Sequence, residues 1–402
     1  MERCLLYMLL LVASRATAQY AGDNVRYTNI PLEQVPAALE EHPDALLLDV
    51  RSPGEYHDTS HYASLNIGRL KGSVNIPIDS IHARYRDLLP YRNKPIMVYC
   101  SHSQRSRQVS NLLSDSGFTQ LINVNAGLSR YWQEHHHMAA VHGLVQRDRP
   151  DGLVSAAEFC ALMAQGALAI DLRADTAFGA TATLEAHRSL GTVQGAIHIP
   201  FGQLEKRLRE IPDDRTLVLV DEQGAEAPRA AALLFKAGRK QVHALFGGLE
   251  TLRDTDPDHF PCAGKVLDRP LPYKILPIAR VDVAAITAGR STVVDIRSPA
   301  EFEGRAERPW LNVGRLRGAI NIPKEELLQG AAKGRVPMEA HVLVMGRDSE
   351  DYYEAARSLC EQGYMNVTVL DGGIWNLRWT AHNLPAYADL EHLMEPPKKM
   401  GD

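Results

Sequence analysis

Cys100 ends an apolar run and opens a polar loop. Pro95-Ile96-Met97-Val98-Tyr99 precedes it, and Ser101-His102-Ser103-Gln104-Arg105-Ser106 follows. A cysteine attacks as the thiolate, and the thiolate is favoured where backbone amides or cations face the sulfur. The neighbouring sequence supplies that environment. The apolar run reads as a buried strand. The stretch from Arg105 through Val109, Leu112 and Leu113 reads as a helix that stops near Gly117. A residue between a strand end and a helix N-terminus sits where loop amides converge, and the same amides hold an anion. The chemistry expected here is nucleophilic attack by a thiol beside an anion-binding loop. Strand-end position, polar loop and Arg105 all oppose the alternative of an inert buried cysteine.

Three further segments accompany this loop. Leu46-Leu47-Leu48-Asp49-Val50-Arg51-Ser52-Pro53-Gly54-Glu55-Tyr56 is an apolar strand running into a charged turn. Gly68-Arg69-Leu70-Lys71-Gly72-Ser73-Val74-Asn75-Ile76-Pro77 follows, and Asn125-Ala126-Gly127-Leu128 leads to Trp132. Together the four motifs resemble the rhodanese superfamily, the thiosulfate sulfurtransferases and their relatives. The family loop runs Cys, two variable residues, Gly, one more, Arg, then often Ser. Cys100, Arg105 and Ser106 match it, and Ser103 stands where Gly is usual. Arg69 replaces a usual His. Ser103 is therefore expected at a backbone position that wants a positive φ.

The resemblance implies that the Cys100 thiolate takes the outer sulfur of a small anionic donor such as thiosulfate. A persulfide forms, and a thiol or cyanide acceptor removes the sulfur. It further implies that Arg105 neutralises the donor and that the amides of residues 101–106 cradle the persulfide. Ser101, His102, Ser103, Gln104 and Ser106 line the loop. Arg69 and Arg107 are weaker candidates for donor attraction, and Asp49 with Arg51 reads as a structural ion pair.

The unit recurs. Asp49-Val50-Arg51 returns as Asp171-Leu172-Arg173 and Asp295-Ile296-Arg297, and the closing element returns as Phe246-Gly247-Gly248-Leu249 and Asp371-Gly372-Gly373-Ile374. The steps from Gly72 to Gly195 and from Gly195 to Gly318 are both 123 residues, a period of tandem domains and not of a solenoid. In the second copy Ala167–Ile170, Leu217–Val220 and Val242–Phe246 read as strands. Ser155-Ala156-Ala157-Glu158 reads as a capping box, and Ala227–Lys236 as a helix. This alternation predicts, in each copy, an α/β fold with a parallel sheet and helices on both faces; with the resemblance, it implies three tandem rhodanese-like domains. The expected divisions are a signal peptide at 1–18, domains at 24–138, 152–256 and 277–388, and a disordered tail at 389–402. Linkers are expected near 139–152 and 256–277.

Only the first copy carries the thiol. Counting back from Gly117, Gly238 and Gly363, the Cys100 position becomes Asp221 and Gly346, and the Arg105 position becomes Glu226 and Asp351. The second and third copies therefore read as inactive scaffolds or docking surfaces for a protein partner. Asp221 as a nucleophile or metal ligand is the rival there. Cys160 and Cys360 fall on helices and read as core filling. Cys262 lies in a linker, and a disulfide among these three is left open. Trp132, Trp375 and Trp379 read as packing residues. Adjacent histidines on a helix diverge, so His135-His136-His137 is not read as a metal site, and neither a metal nor another cofactor is expected.

Three other functions fit parts of this pattern. One is phosphatase or arsenate reductase chemistry, opposed by a loop with four residues between Cys100 and Arg105 where phosphate-handling relatives have five. The second is a non-catalytic docking protein. The third is a thiol redox protein using Cys100 with Cys262. Arg3, the apolar stretch Leu5 to Ala13 and Ala16-Thr17-Ala18 read as a cleavable secretory segment, so a secreted, periplasmic protein is expected. No later segment is apolar enough for a membrane span. The formal net charge is −5 for the whole chain; losing Glu2, Arg3 and Arg15 leaves about −6, which argues against nucleic acid as a partner.

Overall fold

The computed structural model of the chain describes residues 22–133, 138–149, 152–179, 190–254, 260, 262–268, 271–347 and 349–395. The expected signal peptide and the three adjacent histidines lie outside the described residues. Three five-stranded parallel sheets form, one per sequence repeat. The first comprises β1 (Thr28–Pro31), β2 (Leu46–Asp49), β4 (Val74–Asn75), β5 (Ile96–Tyr99) and β6 (Leu121–Asn125), in the order β1-β6-β5-β2-β4; the short β3 (Arg69–Leu70) lies outside it. The second, with β8 (Gly152–Val154), β9 (Leu168–Asp171), β11 (Ile197–His198), β12 (Leu217–Val220) and β13 (Val242–Leu245), repeats that order. So does the third, with β15 (Lys274–Leu276), β16 (Thr292–Asp295), β18 (Ile320–Asn321), β19 (Val342–Met345) and β20 (Val367–Leu370).

Strand alternation explains the two-sided cover. Leu47, Met97 and Tyr99 point to one face of the first sheet, where they join Leu32, Val35 and Trp132. Leu46, Leu48, Ile96 and Val98 point to the other, where Val109 and Leu113 of helix Gln104–Asp115 cover them. Burial on both faces is why these strands read as continuous apolar runs.

In each sheet the carboxyl end of one strand (β2, β9 or β16) is tied by a buried ion pair. Arg51 Nη2 donates to Asp49 Oδ2 at 2.7 Å, Arg173 to Asp171 at 2.6 Å and Arg297 to Asp295 at 2.7 Å. The arginine amide also donates to the aspartate in every copy, and Arg51 and Arg297 reach the carbonyls of Gly68 and Gly314. The structural pair expected from the sequence is thus present three times.

The segments expected as linkers and tail are partly built into the domains. Val145–Gln146 (β7) pairs antiparallel with β3. Leu267–Asp268 (β14) pairs with β10 (Thr192–Val193), and Met394–Glu395 (β21) with β17 (Arg315–Leu316). Each copy therefore ends in a strand that returns to the start of its own Gly-x-x-x-Gly turn. The expected disordered tail is corrected over 389–395, which form a 3-10 helix and β21 because Leu390 and Leu393 are buried in the third core. The remainder of that tail, 396–402, lies outside the described residues.

The three domains close on one another at one equivalent position, the first residue of the closing element. Trp132, on the helix that closes the first domain, stacks on Phe246 of the second, with ring centroids 6.5 Å apart. Arg253, at the same position on the second closing helix, donates to Asp371 of the third at 3.3 Å, with both side chains buried. Asn383, at the end of the third closing helix, meets Arg107 and Asn125 of the first. Phe246, Asp371 and Asn125 are the same position in the three copies. The closing helix of each domain thus docks on the next, and the head-to-tail contact closes as a ring within one chain.

Breaking one partner of a buried ion pair leaves the other charge unsatisfied. Asp295→Ala is expected to destabilise the third domain by about 3–5 kcal/mol, read as a lower midpoint in chemical denaturation. An unchanged midpoint would show that this pair does not hold the strand end.

Candidate active site around Cys100

Cys100 follows directly on β5, at the carboxyl end of the central strand, where ligands of open parallel sheets bind. Its carbonyl accepts from the Leu128 amide at 2.9 Å, and the Ser101 carbonyl from the Ser129 amide at 3.0 Å. The closing element therefore lies against the back of the loop. Gly127 has φ 70°, and a Cβ there would stand 2.4 Å from the Ser101 carbonyl oxygen, which is why the position is glycine. Cys100 is 1% exposed, and its Sγ lies 3.7 Å from Ser106 Oγ. Ser106 Oγ donates to the Ser103 carbonyl at 3.1 Å.

Ser103 adopts φ 75°, the left-handed conformation its place in the loop predicts. Its hydroxyl donates to Asn125 Oδ1 at 3.3 Å, at the end of β6. Gln104 is the exposed first residue of helix Gln104–Asp115. Ser101 is buried. Its hydroxyl accepts from Arg105 Nη2 and hydrogen-bonds with His102 Nδ1, both at 3.0 Å. Partial desolvation and then the charge of Arg105 lower the His102 pKa, although the residue is exposed at the mouth of the loop.

The arginines are placed differently from the simplest expectation. Arg105 is at the mouth of the loop but is not a free cation: its Nη1 and Nη2 donate to the two oxygens of Glu55, each at 2.7 Å. Glu55 is buried and also receives the Ser52 amide and hydroxyl, as the capping box of helix Pro53–Tyr56. Burial alone would raise the Glu55 pKa; Arg105 and Ser52 outweigh it and lower the value. Arg69 and Arg107 are corrected as donor-attracting candidates. Arg69 forms a bidentate pair with Asp148, at 2.6 and 2.9 Å, as β3 is drawn to β7. Arg107 is buried against Asp23, Asn125 and Asn383 at the junction with the third domain.

Sequence reasoning gave no site role to Glu55 or Asn125. The Ser52-x-x-Glu55 capping pattern could have marked Glu55 as oriented, though not toward Arg105. The redox pairing of Cys100 with Cys262 is also corrected, because Cys262 is bonded to Cys160. Cys100 and Cys360 are the free cysteines among the described residues.

The other two copies fill the same loop with other groups. In the second, the Asp221 carboxylate accepts from the amides of Gly224, Glu226 at 2.6 Å and Ala227 at 2.7 Å. These are the positions of Ser103, Arg105 and Ser106. Asp221 is thus held by the loop's own amides and is not presented as a nucleophile. Its burial raises its pKa, against the three amides. In the third, a Cβ at Gly346 would lie 3.1 Å from Ile296 and 3.4 Å from the Tyr352 ring. Tyr352 stands at the Ser106 position and accepts from the Gly372 amide at 2.8 Å. The third loop does carry a cation, Arg347, 3.3 Å from Glu301 and one position beyond Gly346. No group of three or more His, Cys, Asp or Glu residues among those described is arranged to hold a metal, and no described helix is long and apolar enough to cross a membrane.

The Rhodanese-like domain model matches residues 32–134, 155–254 and 283–378. The chain belongs to the rhodanese family. Among curated relatives, its rhodanese-like sequence is 29% identical over 87 residues to the uncharacterized protein YqhL of Bacillus subtilis strain 168. It is 29% identical over 76 residues to the thiosulfate sulfurtransferase PspE of Escherichia coli K12. These matches take in 22% and 19% of this chain, and span 60% and 64% of the two relatives. The thiosulfate sulfurtransferase GlpE of Tolumonas auensis is 23% identical over 116 residues, 29% of this chain and 98% of that protein. A crystal structure of a thiosulfate sulfurtransferase from Pseudomonas aeruginosa aligns with 93% of this chain and 69% of its own, at 18% identity and a TM-score of 0.26. The protein is a rhodanese-like chain of the general sulfurtransferase superfamily.

The Glu55–Arg105 pair gives a pH-dependent test. A lowered carboxyl pKa means that the pair's contribution is fully present above the ordinary glutamate value, about 4.3, and is lost as pH falls through the lower folded value. Glu55→Gln is expected to cost about 1.5–3 kcal/mol at neutral pH, the range for hydrogen bonds to charged groups. The gap to wild type should close in acid below the ordinary value. Parallel denaturation curves at neutral and acid pH check this, and a gap independent of pH would exclude the ionised pair as its source.

Proposed function

We propose that this protein moves a sulfane sulfur from a small anionic donor such as thiosulfate to a thiol or cyanide acceptor through a Cys100 persulfide. The observation that carries the reading is the Asp221 carboxylate in the second domain's version of the loop. A persulfide puts its outer sulfur the same number of bonds from Cβ as an aspartate carboxylate puts its oxygens. Three amides that satisfy a carboxylate in one copy are suited to a persulfide anion in another.

In this mechanism the Cys100 thiolate attacks the outer sulfur of thiosulfate. The donor S–S bond breaks, and sulfite leaves with the electron pair. The acceptor then attacks the outer sulfur of the persulfide, and the Cys100 thiolate leaves. The amides of Ser103, Arg105 and Ser106 receive the negative charge on the outer sulfur. Arg105 holds the loop mouth through Glu55 and Ser101 and leaves the entrance less positive than a bare cation would. His102 borders the entrance, exposed beside Ser101 and Arg105. A loop of four residues between Cys100 and Arg105 favours a single sulfur over a tetrahedral oxyanion. We further propose that the protein is secreted to the periplasm; the Cys160–Cys262 disulfide supports an oxidising compartment.

Incubation with thiosulfate is expected to add one sulfur to the Cys100 peptide in a mass spectrum. Cys100→Ser should abolish transfer to cyanide, and Cys360→Ser should leave it intact. Arg105→Ala removes charge-assisted hydrogen bonds at the mouth, and an increase of about tenfold or more in half-saturating thiosulfate is expected. Full transfer by the Cys100 variant, or Cys100-dependent cleavage of aryl phosphates with no persulfide, would overturn the proposal.

A further inference from the structure

Ser103 is a non-glycine residue in a left-handed conformation, and something must hold it there. Its hydroxyl reaches Asn125 Oδ1. The same oxygen accepts from Arg107 Nη2, and Arg107 Nη2 also donates to Asn383 Oδ1 at 2.7 Å. Asn125 Nδ2 donates to the Asn383 carbonyl, again at 2.7 Å. The four residues thus form a hydrogen-bonded chain from the third domain to the loop. Asp23 closes it from outside, accepting from Arg107 Nε at 3.0 Å and lying 2.9 Å from His382 Nε2. Arg107, Ser103 and Asn383 are each 2% exposed or less, so water does not compete for these bonds.

The second domain is the internal control. There the Ser103 position is Gly224, with φ 77° and no Cβ to strain, and the Asn125 position is the apolar Phe246. With glycine in the loop, the polar clamp is absent from that copy. We propose that Asn125 and Asn383 are positioning residues: the third domain, lacking a nucleophile of its own, holds Ser103 in the conformation that aims its amide at the Cys100 sulfur. This rests on the sulfur-transfer reading for its kinetic consequence, but not for its structural one.

The test uses the full-length chain. Asn125→Leu cuts the link on the first-domain side, and Asn383→Ala weakens it from the third without altering the first domain. In Asn125→Leu the maximal rate of sulfur loading from thiosulfate is expected to fall about tenfold, with half-saturating thiosulfate moving less than about twofold. Adding Ser103→Gly should restore the rate to within about threefold of wild type, because glycine takes the left-handed conformation unaided. Hydrogen exchange of the amides of residues 101–108 should be faster in both variants. A loading rate unchanged in both variants overturns the proposal. So does a loss that Ser103→Gly does not repair, since that would be general destabilisation. If the wild-type protein loads no sulfur, the sulfur-transfer reading falls, and exchange alone decides: faster exchange at 101–108 supports positioning by the third domain, and unchanged exchange overturns it.

Discussion

The buried aspartate–arginine pair at the end of β2, β9 and β16 is the constraint on which each domain depends. The aspartate closes a local turn by accepting the amide two residues on, and the arginine side chain folds back over the same carboxylate. Two side-chain amide bonds complete the corner in the first and third copies: Asn75 donates to the carbonyls of Asp49 and Arg51, and Asn321 to those of Asp295 and Arg297. In the second copy His198 takes that place and meets the Arg173 carbonyl at 2.8 Å. Every polar contact here lies where a parallel sheet has run out of ladder partners. An unpaired charge at such a site is costly, so the corner is preserved as a unit. It is intact in copies without a thiol, which assigns it to folding and not to chemistry.

With that corner fixed, the loop after the middle strand has three different occupants. The first copy places a sulfur, the second a carboxylate and the third the ring of Tyr352. The amides that converge on this point belong to the backbone, so changing the side chain leaves the electrostatic demand in place. Asp221 answers it with a built-in anion. The third copy crowds the space with Tyr352 and Ile296 and fixes the tyrosine hydroxyl through Gly372. Neither copy without the cysteine therefore has an empty loop.

The parts legible in the sequence are those set by neighbours along the chain. The parallel strands showed as apolar runs, Ala227–Lys236 as an amphipathic stretch, Ser155 and Glu158 as a cap, and Ser103 as a residue in a glycine's place. The features missed all join residues far apart in sequence. Arg105 meets Glu55 across 50 residues and Arg107 meets Asn383 across 276. Neither partner is marked by periodicity, because a charged residue in a loop looks the same whether it faces solvent or a distant carboxylate. The return strands β7, β14 and β21 were missed for a related reason. They are too short to display alternation; prolines beside β14 and β21 and the charged run after β7 made these segments resemble linker or tail. The cysteine pair Cys160–Cys262 was left open because spacing alone does not choose among three thiols.

The ring of domains gives the copies without a loop cysteine a physical role that their loops do not. A left-handed serine costs about 1–2 kcal/mol relative to the ordinary backbone regions. A buried intramolecular hydrogen bond contributes about 0.5–1.5 kcal/mol net, and several meet at Asn125. The clamp is therefore large enough to offset the strain, but only if its far end is fixed. Asn383 is fixed by the helix Gly373–Asn383, whose Ile374, Leu377 and Ala381 are buried in the third core. The third domain is held in turn by the buried Arg253–Asp371 pair with the second, and the second by the Trp132–Phe246 stack with the first. The strain at one loop of the first domain is thus referred around the whole ring and back to its own closing helix. A chain that lost either the second or the third domain would keep Cys100 and lose the rigid end of the clamp.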